Sequence, residues 1–260
     1  MFNKHRGFRI LLFALCLSAF MLRADAMRFQ TPRTLNEQPM LHPAAAVPPS
    51  VQSAAPQVNV KKLVSETSEV DFSALQRKNP DVYAWLRIAG TAVDYPICQR
   101  EDDDEYYLSH SDTGAASGAG AIFTQKTYNT KTFDDPCTLI YGHRRSDGSM
   151  FGSLQSLYGS AEAMAQNSTI EILLPEETRT YRVFGSVCFH DRHILWKYDF
   201  SQEEDFDAFF RKAAEVGGDT LILDEENAAR FGDEMVILST CVRDRPDRRF
   251  LVMAGRTDED

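Results

Sequence analysis

Eight short apolar runs rich in β-branched and aromatic residues constrain this chain more than any other feature. They fall at 93–97, 121–123, 138–141, 169–174, 181–189, 220–223, 235–240 and 250–254, separated by polar and turn-forming stretches. Runs of this length and composition read as strands. One longer helical pattern, 201–216, lies between the fifth and sixth runs. Ser201 and Glu204 there have capping-box spacing, and Phe206, Phe209, Phe210 and Ala213 share a face. A short helix over 71–76 ends before Pro80, and a second helical turn carries Val82 and Trp85. Many short strands with one late helix indicate a mainly β fold, a barrel or a sandwich with helical decoration. No internal repeat is present.

The chain's 260 residues are 43% hydrophobic and 25% charged, enough apolar material for a sizeable core. Charge is unevenly spread. Residues 1–23 hold Lys4, Arg6, Arg9 and Arg23 and no acid; removing those four charges from the formal −10 leaves −14 elsewhere. So acidic a domain excludes nucleic acid as a partner, because phosphates need a basic surface. Behind the basic start runs a 13-residue apolar stretch, 10–22, too short for a typical membrane span and suited to a signal-peptide core. Ala24-Asp25-Ala26 has the form of a cleavage site, yet Arg23 interrupts the approach to it. Residues 1–26 are thus a cleaved signal peptide or an uncleaved signal-anchor, and either places the remainder outside the cytoplasm. Residues 27–60, rich in Pro, Ala, Gln and Ser, form an extended linker. The folded domain is assigned to 61–260.

Of five cysteines, Cys16 lies in the leader, and Cys98, Cys137, Cys188 and Cys241 show no C-x-x-C spacing. Cys241 ends an apolar run, Val236-Ile237-Leu238, and a polar turn over 242–248 rich in arginine follows. A thiol needs a base or a positive neighbour to ionise near neutral pH. Among six histidines, His5 and His42 lie in the leader and linker, and His110 in a polar loop. His143 follows the run 138–141 directly after Gly142, so it too stands at a strand end. Such a pair is the arrangement nucleophilic catalysis requires.

Three blocks in order resemble the class B sortases, the membrane-tethered cysteine transpeptidases of Gram-positive cell envelopes. Leu238-Ser239-Thr240-Cys241 is similar to that family's L-x-T-C strand end. Tyr141-Gly142-His143, with Asp147-Gly148-Ser149-Met150-Phe151 after it, is similar to its histidine segment. Asn79-Pro80-Asp81, Trp85, Ile88, Gly90-Thr91 and Asp94-Tyr95-Pro96 resemble its N-terminal helix and first strands. The likeness runs from about residue 75 to 256.

The resemblance implies a closed β-barrel of about eight strands, with N-terminal helices and a helix before the seventh strand. It implies Cys241 as nucleophile, His143 as acid and base, and Arg249, eight residues beyond Cys241, as the donor that stabilises the oxyanion. Period-2 alternation sets Arg249 with Leu251 and Met253, leaving Arg248 as the alternate on the other face. The implied reaction cleaves a Thr-x bond in an Asn-Pro-x-Thr-like sorting signal through a thioester. The acyl group then passes to an amine of a peptidoglycan precursor or stem peptide. Implied partners are proteins with a C-terminal sorting signal, that acceptor, and the membrane if the leader is uncleaved; no cofactor is implied. Ser239, Thr240, Tyr198 and Asp104 are candidate substrate contacts. Tyr198 suits ordinary packing equally well, and Asp104 stands where family members often carry Asn.

Three rivals remain at this level. Cys188, His190 and His193 are ligand types that suit zinc, although no fourth ligand is evident. A cysteine hydrolase would use the same thiol, imidazole and arginine with water as acceptor. A non-catalytic envelope-binding barrel would use none of them.

Overall fold

The computed structural model describes residues 70–190 and 192–257. The leader, the signal-anchor alternative and the linker at 1–60 therefore lie outside the described residues. Among the described residues, no helix is long and apolar enough to cross a membrane.

Helix α1 (Phe72–Lys78) opens on Asp71, whose carboxylate accepts from Ala74 N at 2.8 Å, and it closes at Asn79 before Pro80. The turn expected to carry Val82 and Trp85 is instead strand β1 (Val82–Arg87). The period is two: Val82, Ala84 and Leu86 are buried, and partner strands flank β1 on both sides.

The remaining strands are β2 (Asp94–Cys98), β3 (Ile122–Phe123), β4 (Cys137–Tyr141), β5 (Thr169–Leu173), β6 (Thr178–His190), β7 (Ile222–Leu223), β8 (Met235–Val242) and β9 (Arg245–Arg256). Their order is β5-β1-β2-β3-β4-β8-β9-β6-β7, and a further β5–β6 pairing closes eight of the nine into a barrel. Strand β7 adds to the edge of β6. Only β2–β3 and β4–β8 are parallel among these pairs. The expectation of a closed barrel is borne out.

Apolar cores line both faces of the wall that carries the site. Val236 and Leu238 of β8 and Val252 of β9 point into the barrel with Leu86, Ile97 and Ile140. Met235, Ile237, Leu251 and Met253 point outward against Phe200, Phe206 and Phe209. Burial on both faces explains why β8 reads as a continuous apolar run. Each fully buried Leu or Ile there contributes about 2 kcal/mol.

The outer layer comes from α4 (Ile194–Lys197) and α5 (Glu203–Gly217), the latter preceding β7; α2 (Leu154–Leu157) and α3 (Ala161–Gln166) follow β4. Three acids, Glu203, Glu204 and Asp205, occupy the positive end of α5. The expected Ser201–Glu204 capping box does not form. Ser201 Oγ donates instead to Asp199 Oδ1 at 2.6 Å, and the helix is capped by Gln202 without a side-chain bond.

Candidate active site

The β4–β8 ladder sets the site. Its register pairs Cys137 with Met235 and runs in step to Tyr141 with Ser239. Gly142 N donates to Ser239 O at 3.2 Å and carries the pairing one residue further. His143 and Cys241 leave the two strands at the same level. Both continue the outward series of Leu139, Tyr141, Ile237 and Ser239.

Gly142 is required by space. A Cβ there would lie 2.5 Å from Ile122 Cδ1 and 2.7 Å from the Phe151 ring. With glycine in place, Phe151 packs beneath the turn and its N–H donates to His143 O at 3.0 Å. The His143 ring is fixed from its other side by Nε2, which donates to the backbone carbonyl of Leu108 at 2.8 Å. A carbonyl only accepts, so Nε2 carries a proton and Nδ1 is left for exchange with a neighbour. Gly120, at φ +62°, makes room for this contact. A Cβ on it would lie 2.8 Å from the His143 ring and 2.6 Å from Tyr107 O.

Arg249 is the Cα partner of Cys241 across β8 and β9, so the two side chains emerge on one face. The polar turn expected over 242–248 is mostly strand. Its hairpin bend is Arg243-Asp244, with Asp244 at φ +58°. Because Val242 pairs with Arg245 and Cys241 with Arg249, residues 246–248 bulge from β8. Arg249 Nη1 donates to the Pro246 and Arg248 carbonyls, each at 3.0 Å, which fixes the guanidinium at the bulge. Arg248 pairs instead with His190 of β6 and does not line the cleft.

Cys241, exposed, and the half-buried His143 and Arg249 line one cleft of about 210 Å³. Sequence comparison adds a sortase B of Listeria monocytogenes, 34% identical over 179 residues, or 64% of this chain. The match spans 65% of that relative, just under two thirds of its length. A sortase B of Staphylococcus aureus is 22% identical over 170 residues, covering 65% of this chain and 67% of that protein. Sortase B from Bacillus anthracis in complex with AAEK1 superposes at TM-score 0.61 and 29% identity, over 72% of this chain and 84% of that one. A Staphylococcus aureus sortase B–substrate complex shares the fold at TM-score 0.61 and 21% identity, over 73% and 85%. No family model matches the chain.

In sequence and in fold the chain is similar to class B sortases.

On this barrel the other candidate residues separate into two groups. Ser239 and Thr240, both buried, line the cleft beside Cys241. Thr240 Oγ1 has no hydrogen-bond partner among the described residues. Tyr198 does not line the cleft. Its ring packs edge-on against Phe209 at 5.6 Å within the outer core. Asp104 also lies off the cleft, its Oδ1 accepting from Thr127 N at 3.2 Å, while the adjacent Glu105 lines it.

The far wall is His193 and Ile194, at the start of α4. His193 Nδ1 accepts from Trp196 N at 3.1 Å and caps that helix. Its Nε2 therefore carries the proton and donates to Gln125 Oε1 at 2.6 Å, with the Tyr141 hydroxyl at 3.2 Å. Burial holds this imidazole below its ordinary value, in keeping with a neutral ring. Among the described residues, no group of three His, Cys, Asp or Glu side chains is placed to hold a metal. The Leu108 carbonyl and Gly120 were missed from sequence. A backbone acceptor leaves no side-chain signal, and only the glycine-rich context of Gly120 hinted at a tight approach.

Proposed function

We propose that this protein is a sortase-family cysteine transpeptidase whose reacting groups are Cys241, His143 and Arg249. The observation that carries the reading is their convergence from three strands on one cleft. Cys241 Sγ attacks the carbonyl carbon of a Thr-x bond while its proton passes to His143 Nδ1. Arg249 donates to the carbonyl oxygen as negative charge develops, its guanidinium turning from the bulge carbonyls toward the reacting centre. The tetrahedral adduct collapses as His143 returns the proton to the departing amine, leaving a thioester on Cys241. An incoming amine then attacks, with His143 as base, and the amide product leaves the thiol free.

The donor proposed is a protein with an Asn-Pro-x-Thr-like signal, and the acceptor a cell-wall amine. Ser239 and Thr240 would touch the acyl portion. Residues 1–26 would direct the barrel outside the cytoplasm, as signal peptide or anchor, with 27–60 as spacer. Water in place of the amine makes the same machinery a hydrolase. Mass analysis of the products of a signal peptide, with and without added amine, tests the proposal. Amide product formed at the expense of acid supports transpeptidation; acid alone at every amine concentration overturns it.

A further inference from the structure

The cleft is chemically two-sided. On the β4 side of Cys241, His143 meets the Leu108 carbonyl, and Glu105 of the same turn lines the wall. On the β6–β9 side, Arg249 is joined by His190 and Arg192. Arg192 is exposed and, among the described residues, has no carboxylate within ion-pair distance. His190 Nδ1 is buried without a hydrogen-bond partner among the described residues. Burial and the positive charges of Arg192, Lys212 and Arg248 hold that imidazole below its ordinary value; Lys212 and Arg248 are themselves paired with Glu215 and Asp247. In a domain this acidic, a cationic pole one strand from the thiol is a local exception.

We propose that Arg192, with His190 beside it, forms a carboxylate-binding subsite in the cleft, and that it takes a carboxylate carried by the acyl acceptor next to its amine. The assignment to the acceptor rests on the transpeptidase reading above, because the fixed positions of an Asn-Pro-x-Thr segment carry no acidic side chain. Arg192 would supply a forked donor to a carboxylate, and holding that group near Arg249 aims the neighbouring amine at the thioester carbon.

The subsite is tested without any catalysis by alkylating Cys241 with iodoacetate or iodoacetamide. In both, the Sγ–C bond forms, the C–I bond breaks, iodide leaves and the thiol proton goes to buffer; only the reagent's charge differs. Peptide mapping assigns the label, and the rate ratio of anionic to neutral reagent is compared with that of glutathione. The ratio at Cys241 should exceed glutathione's by about tenfold, fall with added salt, and drop about threefold or more in Arg192→Gln. A ratio at or below that of glutathione, or one unmoved by Arg192→Gln, overturns the subsite. The acceptor assignment is read from alanine against alaninamide, at equal free-amine concentration, in resolving the thioester. Alanine should be preferred about tenfold, and the preference should shrink in Arg192→Gln. Because each is a ratio within one variant, a general loss of activity cancels. Equal resolution by both amines overturns the acceptor assignment while the transpeptidase reading stands; absence of any thioester sinks that reading and the acceptor assignment with it.

Discussion

His143 and Cys241 stand at equivalent places on neighbouring parallel strands, each two residues beyond Tyr141–Ser239, the last Cα pair of the β4–β8 ladder. Strands in a ladder lie about 4.8 Å apart. The spacing of imidazole and thiol therefore begins from a rigid ladder, and only the ring's orientation is left to other groups. That orientation comes from the Leu108 carbonyl, across a gap that Gly120 keeps open.

Gly120→Ala should therefore act on the chemistry. Its Cβ would collide with the His143 ring and with Tyr107 O, in a backbone conformation that costs alanine about 1 kcal/mol or more. We expect the rate of acylation to fall by about tenfold or more, since misplacement of a catalytic group by about 1 Å has effects of that size. Gly118→Ala is the control, because a Cβ there meets nothing within 4 Å. Stopped-flow acylation rates together with melting temperatures make the comparison. Equal rates for the two variants would contradict the positioning account.

Arg249→Lys keeps the charge and loses the planar fork. The register with Cys241 brings the guanidinium within reach of the reacting carbonyl once it turns from the bulge, so acylation should slow by about a hundredfold, with KM for a signal peptide little changed. Arg248→Lys should have a much smaller effect, because Arg248 pairs with His190 and lies off the cleft. If the two lysine variants lose activity equally, the assignment of roles along β9 is wrong.

Acidification should loosen α4. His190 and His193 are both held below their ordinary value, chiefly by burial, so the folded chain binds fewer protons than the unfolded one. Stability then rises with pH: the contribution is full above the unfolded pKa, about 6.5, and is lost as pH falls below it toward the depressed folded values. Protonated His193 Nδ1 could no longer accept from Trp196 N. His193→Asn retains a capping acceptor and removes one titration. Its fall in melting temperature from about pH 7.5 to about pH 5.5 should be smaller than that of the unaltered chain. An identical fall in both would rule out His193 as a source.

The strand runs were legible because most are buried on at least one face, and β8 on two, so apolar residues concentrate there. Strand β1 escaped notice because Val82 and Trp85 also fit helical spacing; only pairing with β2 and β5 decides between the periods. The Ser201–Glu204 cap failed because Asp199, invisible to that motif, takes the serine hydroxyl. At the site, Cys241 and His143 could be nominated from residue type and their place at strand ends, Arg249 from the likeness to class B sortases, and all three line one cleft. The bulge at 246–248 could not be foreseen, because it depends on a register shift between β8 and β9. Tyr198 shows the limit of positional likeness: neighbouring aromatic residues of α5 draw its ring into the outer core.

Whether Cys241 becomes an acyl carrier with His143 as its proton partner is read by intact mass measurement of the domain after mixing with Asn-Pro-x-Thr and Leu-Pro-x-Thr peptides. A thioester adduct should form on Cys241, be absent in Cys241→Ala, be strongly reduced in His143→Ala, and be released by an added amine. No adduct with either peptide, together with alkylation of Cys241 no faster than that of an ordinary exposed thiol, would contradict that role and leave a binding barrel in place of an enzyme.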